Sequence, residues 1–196
     1  GQLYMGQGNG GGDAAIFTYT ASTSATSTSL ATVSGRDWIT DFEVFDGRLY
    51  AFVTGGSSDD SEIYRLDADK LGWTNVHNFD GDTFTGAGAL AQNGDTLYAI
   101  YGDNDTAQDD VEIHIYETTD GTTWTEYGVG DFVDGRTSPA LDEIYAENFD
   151  GDVLISYYGD GISGPGSGMF FLSDITTGDG SNGNEDSDAL IDLSAL

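Results

Sequence analysis

A short unit recurs four times along the chain and leaves little freedom in the architecture. Gly1-Gln2-Leu3-Tyr4, Gly47-Arg48-Leu49-Tyr50, Gly94-Asp95-Thr96-Leu97-Tyr98 and Gly151-Asp152-Val153-Leu154 each set a glycine turn ahead of an apolar strand. With Leu3, Leu49, Leu97 and Val153 as equivalents, the intervals are 46 residues (3 to 49), 48 (49 to 97) and 56 (97 to 153). In three units an inner strand precedes the glycine: Asp41-Phe42-Glu43-Val44-Phe45, Ala87-Gly88-Ala89-Leu90-Ala91 and Ile144-Tyr145-Ala146-Glu147-Asn148-Phe149. A third strand follows the leucine strand, at Ile16–Tyr19, Ile63–Leu66, Ile113–Tyr116 and Met169–Leu172. A fourth begins at Trp73 and at Trp124, and in the first unit covers Ser29–Val33. Helical periodicity is not evident.

Four strands in a unit of this length make one propeller blade. The expected fold is an all-β propeller of about four blades, each of four antiparallel strands, in a single domain spanning 1–196. The blade-like units cover about 1–35, 36–82, 83–136 and 137–196. The first unit lacks an inner strand ahead of Gly1, and Ala189-Leu190-Ile191-Asp192-Leu193 is expected to supply it, which would avoid an exposed sheet edge. The alternative is a partial or larger propeller completed by a partner chain.

Thr118-Thr119-Asp120-Gly121-Thr122-Thr123-Trp124 carries a closer signature. With the strand order around it, it resembles the kelch and Asp-box (sialidase-like) β-propeller repeats, as a shortened Asp-box. The resemblance covers roughly residues 1–175 and implies a structural turn: Asp120 and Gly121 shape a tight hairpin and the Trp124 indole packs between sheets. Asp67-Ala68-Asp69-Lys70-Leu71-Gly72-Trp73 keeps the acid, the glycine and the tryptophan at altered spacing. Similar repeats occur in phage tail and spike proteins and in microbial surface proteins.

Composition narrows the setting. Asp and Glu number 35 against 5 Lys and Arg, a net charge of −30, so nucleic acid and anionic membranes would be repelled. A chain this acidic is shielded from its own repulsion only when salt shortens the screening length, and the near-absence of lysine resembles proteins of salt-loving microbes and their viruses. With 38% apolar and 12% aromatic residues the chain can still build a core. The absence of cysteine excludes disulfides, thiol catalysis and cysteine zinc sites. No apolar run is long enough for a membrane-spanning helix, and no charged-then-apolar leader opens the sequence, so a secretion signal is expected to have been removed or never to have existed.

Candidate chemistry is sparse. Sialidase-type enzymes grip a substrate carboxylate with clustered arginines, but Arg36, Arg48, Arg65 and Arg136 follow no pattern and the family's arginine motif is missing. The carboxylates are too numerous for any pair to stand out as a glycosidase couple. His77 and His114 have no cysteine beside them, and His114 alternates with Ile113 and Ile115 in a strand, so packing is expected rather than metal ligation. No serine sits in a nucleophile-elbow pattern.

Calcium is the one cofactor with a pattern. Asp103, Asp105, Asp109 and Asp110, with Asn104 and Glu112, place oxygen ligands at alternating positions, and Asp179 to Asp188 does the same. Neither run matches the full twelve-residue loop, and the alternative is a solvated acidic surface. Asn104-Asp105-Thr106 is a glycosylation sequon. Tyr50, Tyr64, Tyr98, Tyr101, Tyr116, Tyr157 and Tyr158 would stack on sugars if exposed, or pack between blades.

Together these readings lead to the expectation of a noncatalytic, surface-displayed propeller. It would be a structural or receptor-binding component of a virion or cell surface in a high-salt, extracellular habitat. Its specificity would lie in the loops Gly6–Asp13, Gly55–Ser61, Gly102–Asp110 and Gly159–Gly168, and its partners would be a host-surface receptor or glycan and other subunits of a homo-oligomer or particle. The alternatives are a secreted carbohydrate-active enzyme using Asp, Glu and Tyr, and a calcium-dependent lectin.

Overall fold

A computed structural model describes residues 2–8, 13–20, 28–33, 38–54, 61–69, 72–79, 84–105, 110–133, 143–158 and 167–174. These residues form four antiparallel sheets in sequence order. The first holds β1 (Gln2–Gln7), β2 (Ala14–Thr20) and β3 (Thr28–Val33). The second holds β4 (Trp38–Phe45), β5 (Arg48–Thr54), β6 (Ser61–Leu66) and β7 (Trp73–Phe79). The third holds β8 (Phe84–Asn93), β9 (Thr96–Asp105), β10 (Asp110–Thr118) and β11 (Thr125–Val133). The fourth holds β12 (Glu143–Phe149), β13 (Asp152–Tyr158) and β14 (Ser167–Phe171), and runs into a 3-10 turn at Leu172–Asp174.

Local chemistry explains the hairpins. Asp46-Gly47 and Asp150-Gly151 all take positive φ, the two-residue turn whose twist matches that of the strands it joins. Each sheet is a simple meander, so the turns at 46–47, 94–95 and 150–151 gather at one end of the molecule. The last residues of the second strands and the first residues of the inner strands gather at the other. The strands take part of the predicted binding loops: Gly6 and Gln7 lie in β1, Ser61 opens β6, Gly102–Asp105 lie in β9, Asp110 opens β10, and Ser167 and Gly168 open β14. Gly8 and Asp13 adjoin β1 and β2, and residues 9–12, 55–60, 106–109 and 159–166 of these loops, with the expected 189–193 strand, lie outside the described residues.

Apolar burial sits between sheets, as in a ring of radial blades. Val33, Ala51 and Val53 pack with Ile39 and Phe42 between the first and second sheets. Phe45, Tyr50 and Phe52 meet Leu90, Leu97 and Tyr101 between the second and third. Ile100, Ile113 and Ile115 meet Ile155, Tyr157 and Phe170 between the third and fourth. The inner strands β4, β8 and β12 lie side by side, with β1 next to β4. β8 is built of small residues, and a Cβ on Gly88 would fall 2.2 Å from the Phe52 ring, so this glycine lets the second and third sheets close up.

The turn after β10 is fastened by its own side chains. Asp120 Oδ1 accepts the backbone N–H groups of Thr123 at 2.6 Å and Thr122 at 2.7 Å, and Thr118 Oγ1 accepts that of Gly121 at 2.9 Å. The Thr123 and Thr122 amides hold the Asp120 carboxyl well below the usual carboxylate range. Trp124 packs beside His77, ring centroids 5.7 Å apart, against the core between the second and third sheets. The variant turn after β6 closes differently, with Asp67 N–H donating to Gly72 C=O at 2.9 Å and Thr74 Oγ1 donating to Asp67 Oδ1 at 2.6 Å.

Candidate active site

An inner strand has one ladder edge turned to the molecular axis, and the amides on that edge need acceptors from elsewhere. Asp41 on β4 answers this need for β8. Its Oδ2 accepts the Leu90 N–H at 2.8 Å, while its Oδ1 accepts the Phe42 N–H at 2.7 Å. Burial pushes the Asp41 carboxyl up, against the pull of these two amides, and the charge of Glu147 pushes it further. Two residues along the strand, Glu43 is also pushed up by burial, with added repulsion from Asp41 and Glu147, while the Val44 N–H at 2.8 Å pulls it down.

Glu43 and Glu147 hold equivalent places in their sheets. Glu43 pairs with Tyr50, Ala91 with Tyr98 and Glu147 with Leu154, each partner following the equivalent Leu49, Leu97 or Val153. The middle position is Ala91 on β8, and β4 and β12 stand on either side of that strand. Asp41, Glu43 and Glu147 therefore form one electrostatically coupled set drawn from two sheets, with half-buried and exposed members. Carboxyls pushed up by burial beside other carboxyls are the kind of arrangement that acid–base chemistry on a glycosidic bond uses.

Aromatic rings stand at the loop-bearing end. Trp38 opens β4 and is 43% exposed, and on β12 Tyr145 donates its hydroxyl to Glu143 Oε2 at 2.9 Å. That bond raises the Tyr145 pKa. Of the tyrosines singled out in the sequence, Tyr50, Tyr101 and Tyr157 are buried, Tyr64, Tyr98 and Tyr116 are half-buried between sheets, and Tyr158 is exposed.

The predicted calcium ligands do not join this set. Asp105 pairs with Asp110 and Glu112 with Asp103 in the β9–β10 ladder, so these acids belong to strands rather than to a loop, while Asp109 and the 179–188 run lie outside the described residues. Among the described residues no three His, Asp or Glu side chains are grouped to hold a metal ion. His114 stacks on Tyr101, centroids 5.1 Å apart, with Nδ1 3.4 Å from Glu126 Oε1, and His77 packs edge-on to Phe79 at 4.5 Å. Asp41, Glu43 and Glu147, which act on one another electrostatically, carry no motif in the sequence. Their signal was placement, since Asp41, Glu43 and Glu147 lie inside strands and two of them share a repeat position.

No protein-family model and no curated protein sequence matches the chain. Solved structures do. The chain is similar to a Clostridium thermocellum α-L-arabinofuranosidase of glycoside hydrolase family GH43, with TM-score 0.57, 14% identity, and 90% of this chain against 68% of that one. It is similar to a Fusarium graminearum α-L-arabinofuranosidase solved with an iminosugar inhibitor, with TM-score 0.58, 15% identity, and 87% against 57%. A luciferin-regenerating enzyme also matches, with TM-score 0.50, 12% identity, and 90% against 57%. The chain thus spans about six tenths of the length of such structures. The shared fold is the β-propeller, here with partial blades. The expectation of a noncatalytic module is corrected, because the solved propellers this chain is similar to are enzymes, glycoside hydrolases among them. It rested on the absence of a recognisable reaction motif in the sequence, which does not exclude chemistry assembled from residues far apart in the chain.

Proposed function

We propose that the chain is a carbohydrate-active propeller that hydrolyses glycosidic bonds with the inner-strand carboxylates. The observation that carries this reading is the coupling of Asp41, Glu43 and Glu147, with two of the three pushed toward the protonated form. Glu43 is the general acid: it delivers a proton to the leaving-group oxygen as the bond to the anomeric carbon breaks. Glu147, exposed on β12, is the base that takes a proton from the attacking water. Burial, helped by repulsion from Asp41 and Glu147, favours the protonated form of Glu43, and Asp41 is held in place by two backbone amides. Trp38 and Tyr145 offer ring faces to the sugar at the open end. The similarity to arabinofuranosidases supports starting with aryl α-L-arabinofuranosides and arabinan as substrates.

The test is hydrolysis of these substrates in molar salt by the wild type and by Glu43→Gln and Glu147→Gln. General acid or base loss should lower kcat by about 10²–10⁴-fold at unchanged fold. Turnover at the wild-type rate by both variants would refute the assignment. A base that activates water predicts inversion, with carboxyls about 6.5–9.5 Å apart; release of the retained anomer, read by NMR, would mean a nucleophilic carboxylate at about 5–5.5 Å and would overturn the role given to Glu147.

A further inference from the structure

The inner strands β4 and β12 end on phenylalanine, and β8 ends on asparagine. Phe45, Asn93 and Phe149 hold the same repeat position, each the last residue before a two-residue turn. The turns at 46–47 and 150–151 read Asp-Gly, whereas the turn at 94–95 reads Gly-Asp. Glycine therefore follows asparagine directly. Asn93 is also bonded across the sheets: its Nδ2 donates to the Gly151 C=O at 2.9 Å, and its Oδ1 accepts from Asn148 Nδ2 at 2.9 Å. Asn148 Nδ2 donates to the Gln92 C=O at 3.2 Å as well, and Gln92 Nε2 donates to the Gly94 C=O at 2.9 Å. These side-chain amides lace the turn of the third sheet to that of the fourth within reach of water, since Gly94 and Asn148 are exposed and Asn93 is half-buried.

Glycine carries no side chain to shield its own backbone nitrogen, so an Asn-Gly step can close on itself. The Gly94 nitrogen attacks Asn93 Cγ, a C–N bond forms as the Cγ–Nδ2 bond breaks, and ammonia leaves with the proton that Gly94 gives up. Water then opens the cyclic imide at either carbonyl and leaves aspartate or isoaspartate. The balance is one water consumed and one ammonia released. The folded turn opposes the first step. Ring closure needs Asn93 Cγ to swing onto the Gly94 nitrogen, but both ends of the side-chain amide are held by the fourth sheet, and the Asn93–Thr96 pair fixes the backbone in the β8–β9 ladder.

We infer that Asn93 is a site of self-modification, that the clasp made by Asn148 sets its rate, and that conversion of Asn93 to a carboxylate releases the end of β12 from β8. The product cannot keep the clasp. A carboxylate has no Nδ2 proton to give Gly151 and sets an oxygen against that carbonyl. It also adds a negative charge to turns that already carry Asp95 and Asp150, on a chain at −30. Isoaspartate further lengthens the backbone at the end of the β8–β9 hairpin. The modification is irreversible, so it limits how long the third and fourth sheets stay joined at this end. The inference stands on hydrogen bonds and covalent chemistry and holds whether or not the inner-strand acids are catalytic.

The test is peptide mapping by mass spectrometry after incubation of the full chain in mildly alkaline molar salt, with the chain unfolded in urea as the reference. Asn93 in the folded wild type should deamidate about tenfold more slowly than in the unfolded chain, and Asn148→Ala should restore most of that difference without changing the unfolded rate. Equal rates in the folded wild type and folded Asn148→Ala, or a folded wild-type rate equal to the unfolded one, would overturn the role of the clasp. Asn93→Asp carries the product without the reaction and tests the consequence separately. It should speed hydrogen exchange at β12 amides by about threefold or more while leaving β5 amides unchanged, and unchanged exchange on β12 would overturn the release.

Discussion

Gly121 is closed to substitution on two counts. Its φ is +70°, and a Cβ there would come within 1.9 Å of the Tyr50 hydroxyl oxygen. Gly121→Ala should therefore cost about 2–4 kcal/mol, the sum of a left-handed backbone penalty and overpacking, measured by urea unfolding. The Thr-Asp-Gly-Thr-Thr-Trp run made the turn legible, because side-chain caps and a positive-φ glycine are local chemistry. The contact with Tyr50, 71 residues away (50 to 121), was not. A second expectation concerns titration. Asp41 and Glu43 have raised folded-state pKa values, so the native state binds more protons than the unfolded chain. Their stabilising contribution is full below the unfolded carboxylate pKa and is lost as pH rises through the raised folded values. Melting temperature should climb as pH falls from 7 toward the carboxylate range, and Asp41→Asn/Glu43→Gln should flatten that slope. Asp120 has the opposite sign: its contribution is present above the unfolded carboxylate pKa and is lost only in stronger acid, as pH falls through its depressed folded value.

Period-two patterning at fixed intervals made the strands readable, since a strand that buries a face must repeat its apolar residues. Boundaries shifted where ladders outran the apolar core: β9 continues to Asp105, and Leu172 belongs to the turn after β14. The site was hidden for a different reason. In a chain with 35 acids, Glu43 and Glu147 are unremarkable until register shows them at equivalent places on β4 and β12, the inner strands on either side of β8. β8 is the element that permits this closeness. Adding one methyl at Gly88 should force β8 off the Phe52 ring and cost about 1–3 kcal/mol, with part of the loss recovered by pairing Gly88→Ala with Phe52→Leu. A double-mutant cycle in urea checks it, and additive costs would contradict the direct contact.

At the scale of the molecule the charge of −30 works against the ring that the apolar interfaces hold together. Screening relieves carboxylate repulsion, so melting temperature should rise steadily from about 0.1 M to 2 M KCl, where the Debye length falls below about 3 Å. A flat or falling curve would mean that the acids are too dispersed to matter. The same screening sets the conditions for judging the central claim, that acids from the second and fourth sheets, on either side of β8, act as one catalytic centre. The direct measurement is kcat/KM on an aryl α-L-arabinofuranoside in 2 M KCl for the wild type, Glu43→Gln, Glu147→Gln and the double variant. Groups that act as a unit lose nearly everything at the first substitution, so the double variant should fall no more than a few-fold below either single one. Single variants that keep wild-type activity, losses that multiply in the double variant, or a wild type without turnover would contradict the account.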